Sequence, residues 1–268
     1  MKKKTSKSVL ALLIAAAALI GAGGIGTARA QLNVQSQYYN AWFYLNHLQV
    51  HLLENGNDVC GGRNNLDGDS KITGRLLQYL GFESKEKLGS IEPGRAYKEE
   101  IAASNGSDIP IFLRLTVRKY WIDEKTGEKV TNMSPKRIKL TYGNKAYNSG
   151  AWQINPAESS AESETYYYNT TLAAGASTTP LFDQLMIDPK IAGIEEYTTR
   201  YDGSKTIYTY KYHYDGYAFI IEADVQALQT HNANDAVRSQ WGVNNVTAEF
   251  VSNEVDGKEA GMGTLTVG

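Results

Sequence analysis

Two stretches of alternating apolar and polar residues constrain the fold of this chain most. They are Ile111–Lys119 (IFLRLTVRK) and Phe219–Ala227 (FIIEADVQA). Because successive side chains of a strand point to opposite faces, a period of two predicts strands with one buried face. The residues predicted to face inward are Leu113, Leu115, Val117, Phe219, Ile221 and Val225. Arg114, Arg118 and Lys119 are predicted to form a charged outer face.

Turn residues separate several shorter segments of strand-like composition. The further strand candidates are Tyr44–Leu52, Lys136–Tyr142, Ala151–Ile154, Tyr166–Leu172 and Leu181–Ile187. Turn dipeptides stand at Pro93-Gly94, Asn105-Gly106, Thr126-Gly127, Gly143-Asn144 and Asp202-Gly203. Within Tyr210–Leu228, the Asp215-Gly216 pair has strand-like residues on both sides and predicts a hairpin.

Helical patterns are scarce. Thr73–Leu80 is predicted to form a short helix. A second helix is predicted to begin at Asn232 or Asn234 and to run through Trp241, with Gly242 just past its end. Many short strands with little helix predict an all-β fold, an antiparallel jelly roll or β-sandwich with one or two short helices.

The first 30 residues have the layout of a secretory signal peptide. Met1–Ser8 is basic, Val9–Ile20 is apolar, and Ala28 and Ala30 form an A-x-A site that predicts cleavage before Gln31. A membrane-spanning helix needs about 20 apolar residues, so this shorter run favours cleavage over a membrane anchor. Membrane contact is therefore expected only through the signal peptide before cleavage.

The mature chain is expected to be a single jelly-roll-like β domain, residues 31–268. Its polar segments Ser159–Thr165 and Asn253–Gly268 are predicted to be a loop and a loose C-terminal tail. Five of the 27 basic residues and none of the 29 acidic residues precede residue 31, so the mature chain has a net charge of −7. This charge argues against nucleic acid as a partner. A single cysteine excludes an intramolecular disulfide framework and a cysteine-based zinc ribbon.

Patterns that suggest catalysis or metal binding are incomplete. His47 and His51 have the spacing of a zinc protease motif, but Leu48 stands where that motif needs Glu. On a strand, residues four apart are separated by roughly 13 Å and cannot hold one ion. Counting an EF-hand loop from Asp67 puts Gln78 where the bidentate Glu belongs, which favours a polar turn. We therefore predict no catalytic residue, no cofactor and no metal ligand.

Seven tyrosines crowd one region of the sequence: Tyr197, Tyr201, Tyr208, Tyr210, Tyr212, Tyr214 and Tyr217. A flat row of aromatic rings can stack on sugar rings, so the region is a candidate polysaccharide-binding surface. Packing of aromatic side chains across neighbouring strands is the commoner reason for such a row. The sequence leaves both interpretations open.

The order of several motifs resembles a known family. The motifs are GTARA (residues 26–30), LQVHLLENG (48–56), PGRAY (93–97), EIAASNGS (100–107), FLRLTVRKYW (112–121), ADVQALQTHNANDA (223–236) and WG (241–242). Together they resemble the TasA–camelysin family of Gram-positive bacteria, proteins with SipW-type signal peptides, in its clostridial branch. The resemblance spans nearly the whole chain.

The resemblance implies a jelly-roll subunit of extracellular biofilm-matrix fibres. In that family, the N-terminal segment freed by signal cleavage can complete the sheet of the next subunit. Here that segment is Gln31–Tyr39, in which Leu32, Val34 and Tyr38 share one strand face. Camelysin relatives are described as metalloproteases, but without an H-E-x-x-H motif we do not extend this activity to the chain.

These observations predict a secreted structural protein of the cell surface or biofilm matrix. It is expected to bind copies of itself or other matrix proteins, and to form fibres by addition of the N-terminal strand. The alternative is a secreted β-sandwich module that binds a glycan or a surface partner. Neither function is enzymatic.

Overall fold

The computed structural model describes residues 48–59, 71–77, 91–255 and 258–268, all within a unit that spans Asn46–Gly268. Strands make up 55% of the structure and helices 10%, so the all-β fold predicted from the sequence is confirmed. The predicted cleavage and assembly residues lie outside the described residues: Ala28, Ala30, Gln31, Leu32, Val34 and Tyr38.

The strands are β1 (Val50–Glu54), β2 (Asn57–Asp58), β3 (Lys71–Arg75), β4 (Ala96–Asn105), β5 (Ile111–Asp123), β6 (Lys129–Val130), β7 (Ile138–Thr141), β8 (Trp152–Ile154), β9 (Ser163–Tyr168), β10 (Phe182–Ile187), β11 (Ile194–Asp202), β12 (Lys205–Tyr212), β13 (Tyr217–Gln229), β14 (Val246–Val255) and β15 (Lys258–Val267). The helical segments are 3₁₀ turns at Pro135–Arg137, Pro156–Glu158 and Pro189–Ala192, the α-helix α1 (Ala233–Ala236) and a π-helical turn (Val237–Trp241).

Two antiparallel sheets enclose the main core. The first has the strand order β2-β1-β4-β10-β7, and the second has the order β3-β13-β5-β9-β8, with β6 paired to one end of β5. Along the chain, β1, β4, β7 and β10 of the first sheet alternate with β3, β5, β9 and β13 of the second. This crossing between sheets is the arrangement of a jelly-roll-like sandwich.

The two strands predicted most clearly form the centre of the second sheet. β5 and β13 pair along their whole length, from Ile111 opposite Gln229 to Asp123 opposite Tyr217. Five of the predicted inward side chains are fully buried: Leu113, Leu115, Val117, Ile221 and Val225. Burial of each such side chain stabilises the fold by about 1.5–3 kcal/mol. The sixth, Phe219, is half-buried against the main core.

A second, smaller core covers part of the outer face of the second sheet. Asn232 adopts a left-handed conformation (φ 49°) before α1, and Gly242 (φ 70°) follows the π-helical turn. The predicted helical segment is therefore present, with a single α-helical turn. The members of the second core are Phe112, Tyr167, Leu228, Ala233, Ala236, Val237, Trp241, Val243, Val246, Ala248 and Leu265.

The predicted charged outer face is only partly correct, because Arg114 and Arg118 lie on the outer side of β5 but Lys119 lies on its inner side. The outer side is partly covered by the second core. Arg114 lies beneath it, and only 12% of its side chain is exposed. Arg118 forms an ion pair with the buried Asp224 (2.6 Å). Lys119 lies on the face of β5 that points to the main core, and it pairs with Glu164 (3.1 Å). A period of two assigns a side chain to a face, but not what covers that face.

Two local predictions are wrong because tertiary pairing prevails over local pattern. The segment Thr73–Leu80 was expected to be helical, but Lys71–Arg75 forms β3 and pairs with β13. The tail expected over Asn253–Gly268 instead completes the β14–β15 hairpin. Gly263 allows this hairpin to lie close to the sheet, since a Cβ atom there would come within 2.8 Å of the Phe112 ring.

The predicted hairpin at Asp215-Gly216 is also wrong. Gly216 (φ 85°) does form a turn, but the strands on its two sides do not pair with each other. β12 pairs with β11, whereas β13 pairs with β5 and β3. The loop expected at Ser159–Thr165 is shorter than predicted, because β9 begins at Ser163.

Candidate interaction surface

The turn at Asp202-Gly203 closes a two-stranded hairpin, β11–β12. Asp202 lies opposite Lys205, which leaves a two-residue loop of Gly203 and Ser204. Gly203 has φ 60°, which is the conformation that a type II′ turn requires at its first loop position. Neither strand pairs with any other described strand.

The hairpin has one tyrosine-bearing face and one charged face. The register places Tyr197 opposite Tyr210, Thr199 opposite Tyr208 and Tyr201 opposite Thr206. Because side chains alternate along each strand, these six residues share one side, which we call the tyrosine face. The opposite side, called the charged face, consists of Glu196, Thr198, Arg200, Asp202, Lys205, Ile207, Thr209 and Lys211.

Every residue from 195 to 211 is exposed. The four tyrosines remain 65% (Tyr197), 78% (Tyr201), 57% (Tyr208) and 47% (Tyr210) accessible to solvent. Tyr197 and Tyr210 contact each other across the strands, with ring centroids 6.4 Å apart and planes inclined by 35°. The cross-strand packing considered from the sequence is therefore present for this pair, but it leaves the rings open to a partner.

The remaining predicted tyrosines lie at the base of the hairpin. Tyr212 and Tyr214 stack at 5.5 Å, and Tyr214 and Tyr217 pack against the main core. Glu195 and Lys211 form an ion pair at 2.9 Å, whose hydrogen bond lowers the pKa of Glu195. The structure thus divides the tyrosine-rich segment into an anchored base and an exposed face. Thr199 and Thr206, which separate the tyrosines, were not singled out from the sequence.

A pair of buried carboxyl groups lies in the main sandwich. Glu54 on β1 and Glu99 on β4 are both fully buried. The Glu54 carboxylate accepts a hydrogen bond from the Leu77 backbone N–H (2.7 Å). Burial raises the pKa of Glu99 well above its ordinary value, and the neighbouring Glu54 raises it further. Both effects favour the protonated form of the Glu99 carboxyl group.

The half-buried Arg114 belongs to a closed polar network. Its guanidinium group forms an ion pair with Glu158 (3.0 Å) and donates to Gln226, and it stacks over the Trp241 ring at 5.2 Å. The Tyr167 hydroxyl also donates to Glu158, and burial is the main cause that raises the pKa of Tyr167 to about 12. This network attaches the second core to the sheet.

His51 lies on β1, within the segment Tyr44–Leu52 that was predicted to be a strand. Its Nδ1 atom is 2.7 Å from a carboxylate oxygen of Asp58, and Ser104 is its cross-strand neighbour. Among the described residues, no hydroxyl group hydrogen-bonds to its Nε2 atom. The arrangement therefore stabilises the β1–β2 edge rather than assembling a nucleophile and its base.

Metal and cysteine candidates from the sequence fall largely outside the structure. His47, Cys60, Asp67 and Gln78 are not among the described residues. Within the ranges that are described, no three His, Cys, Asp or Glu side chains come together as a metal site.

In the part of the chain that the structure describes, no helix has the length and apolar character needed to cross a membrane.

Comparisons with protein-family models, with curated proteins and with solved structures returned no match. The resemblance to the TasA–camelysin family therefore remains an expectation from sequence motifs.

Proposed function

We propose that the chain is a secreted structural protein of the cell surface or extracellular matrix, and that its subunits associate with one another. The observation that carries this proposal is the fully exposed hairpin with its tyrosines on one face. Exposed groups of large apolar side chains mark interaction surfaces. The signal peptide supports secretion.

The charge of the mature chain supports a protein or glycan partner. Its net charge of −7 gives no general attraction to nucleic acid or to anionic lipid. Among the described residues, the Arg114 network and the His51–Asp58 pair have roles within the fold, and we propose no catalytic function. TasA–camelysin-like assembly on the cell surface or in a biofilm matrix is consistent with these features.

Addition of the N-terminal strand is part of the proposal. Gln31–Tyr39 would supply the added strand, with Leu32, Val34 and Tyr38 on one face. An acceptor edge is suggested by the first sheet, because among the described strands the two-residue β2 lies at its edge and pairs with Leu53 and Glu54 of β1. Edge strands present backbone groups that can pair with an added strand.

The size distribution of the secreted chain tests this function. Light scattering and electron microscopy should show oligomers or fibres that increase with concentration. Deletion of residues 31–39 should abolish fibres and should leave a folded protein with unchanged β-sheet circular dichroism. A wild-type chain that stays monomeric at every concentration and pH would contradict the proposal.

A second candidate function is glycan binding. It is favoured by the exposed Tyr197–Tyr210 ring pair, which can stack on sugar rings, and by the nearby hydroxyl groups of Thr199 and Thr206. Affinity electrophoresis through gels that contain polysaccharide distinguishes the two functions. Retarded migration of a protein that remains monomeric would favour the binding module.

A further inference from the structure

We infer that the tyrosine face packs against the tyrosine face of a second copy of the chain, across a two-fold axis. This inference rests on the proposed self-association and specifies one of its contact surfaces. It concerns a different part of the molecule from the N-terminal strand, so the two contacts together would link each subunit to more than one neighbour.

The area of the tyrosine face is sufficient for such a contact. A buried aromatic side chain contributes about 150–250 Å². With the exposed fractions of Tyr197, Tyr201, Tyr208 and Tyr210, the four rings leave about 500 Å² to be covered on each hairpin. Two hairpins together would then bury about 1,000 Å², which reaches the lower limit for a specific interface.

The distribution of charge selects this face. None of its six residues is charged, so a second copy can cover it without desolvating an ion. The charged face carries Glu196, Arg200 and Lys211 among others, and it would be costly to bury. Only one side of the hairpin therefore suits an apolar contact.

The sizes of the side chains suit packing of the face against itself. Thr199 lies opposite Tyr208, and Thr206 lies opposite Tyr201. Each of these pairs combines a large side chain with a small one, so rings of one hairpin can occupy the hollows above the threonines of the other. Alternation of large and small residues allows two layers to interdigitate.

The second copy would also stabilise the hairpin itself. An isolated two-stranded hairpin is marginally stable in water, and it needs another strand or a packed face. Residues 195–211 are exposed on both sides of β11–β12. Packing of two hairpins creates a two-layer unit of four strands, which supplies the missing face.

The test compares two variants of the secreted chain. Tyr201→Thr with Tyr208→Thr removes two rings from the tyrosine face and keeps strand-forming residues. The matched control, Ile207→Thr, removes an exposed apolar side chain from the charged face. Equal melting temperatures and circular dichroism spectra would show that all three proteins are folded. Sedimentation equilibrium should show self-association at least about tenfold weaker in the double variant and unchanged in the control.

Each outcome decides the inference. Equal self-association of the wild type and the double variant would overturn the face-to-face contact, while the proposed self-association would stand. Wild-type chain that never associates would overturn both. If the double variant associates normally but loses retardation in polysaccharide gels, the tyrosine face is a glycan site and the inference is wrong.

Discussion

Glu99→Gln should make the protein more stable at neutral pH. The Glu99 and Glu54 side chains are fully buried on neighbouring strands, and one Glu99 oxygen has no hydrogen-bond partner among the described residues. Glutamine has nearly the same shape as glutamate but cannot ionise. The substitution therefore removes the cost of binding a proton to this carboxyl on folding, while Asn55 and Glu54 remain as neighbours of the amide.

The sign of the pH dependence follows from proton binding. Burial and then Glu54 raise the pKa of Glu99 above its ordinary value of 4.5. At a pH between the ordinary pKa and the raised pKa of Glu99, the folded chain holds a proton that the unfolded chain has released. The free energy of unfolding therefore falls as pH rises, because the folded state binds more protons.

The magnitude of the effect is set by this range. The free energy changes by at most about 1.4 kcal/mol for each pH unit between the two pKa values. From 4.5 to neutral pH the ceiling is about 3 kcal/mol. Relaxation and entry of water reduce the cost of burying the Glu99 carboxyl group. We therefore expect Glu99→Gln to raise the free energy of unfolding by about 1–3 kcal/mol at neutral pH, and to leave it unchanged below the ordinary glutamate pKa.

Urea unfolding of the wild type and the variant, repeated from acid to mildly alkaline pH, provides the assay. Glu100→Gln is the matched control, since Glu100 points to the opposite side of β4 and pairs with Lys98 at 3.2 Å. The difference between Glu99→Gln and the wild type should grow with pH, and Glu100→Gln should show no such trend. A constant difference, or a loss of stability at neutral pH, would refute the reasoning.

Three further predictions concern the core and the N-terminus. Leu115→Asp places a charge in the sandwich core and should lower the free energy of unfolding by about 4 kcal/mol or more, with an unchanged urea midpoint as the contrary result. Arg118→Ser should cost about 2 kcal/mol or more, because Asp224 is buried and loses its cation; a loss close to zero would show that the pair contributes nothing. N-terminal sequencing of the secreted chain should begin at Gln31, and a start more than about three residues away, or retention of Met1, would disprove cleavage after Ala30.

The two central strands of the second sheet, β5 and β13, were predictable because apolar and polar residues alternate regularly in both. The alternation in Ile111–Lys119 and Phe219–Ala227 identified the buried faces, since a strand with one buried face must repeat every two residues. The segment 73–77 was misassigned because its local helical pattern competes with a ladder to β13. Such a partner, about 150 residues away in sequence, leaves no local pattern.

The candidate surface was only partly predictable. The crowding of seven tyrosines in one region of the sequence indicated an aromatic surface or cross-strand packing. Two turn pairs, Asp202-Gly203 and Asp215-Gly216, were compatible with a hairpin, and only the first closes one. The choice between them depends on tertiary pairing, because β13 joins the second sheet and β12 pairs with β11 instead. The pairing of Glu54 with Glu99 has the same origin, because it arises only when β1 and β4 become neighbours.

Hydrogen exchange of the hairpin as a function of protein concentration tests the central claim of self-association most directly. In the monomer, amides of residues 195–211 belong to an exposed two-stranded unit and should exchange rapidly. As concentration rises, contact between tyrosine faces should protect these amides, while those of β5 and β13 exchange at a constant rate. Hairpin amides that exchange equally fast at every concentration would contradict the account.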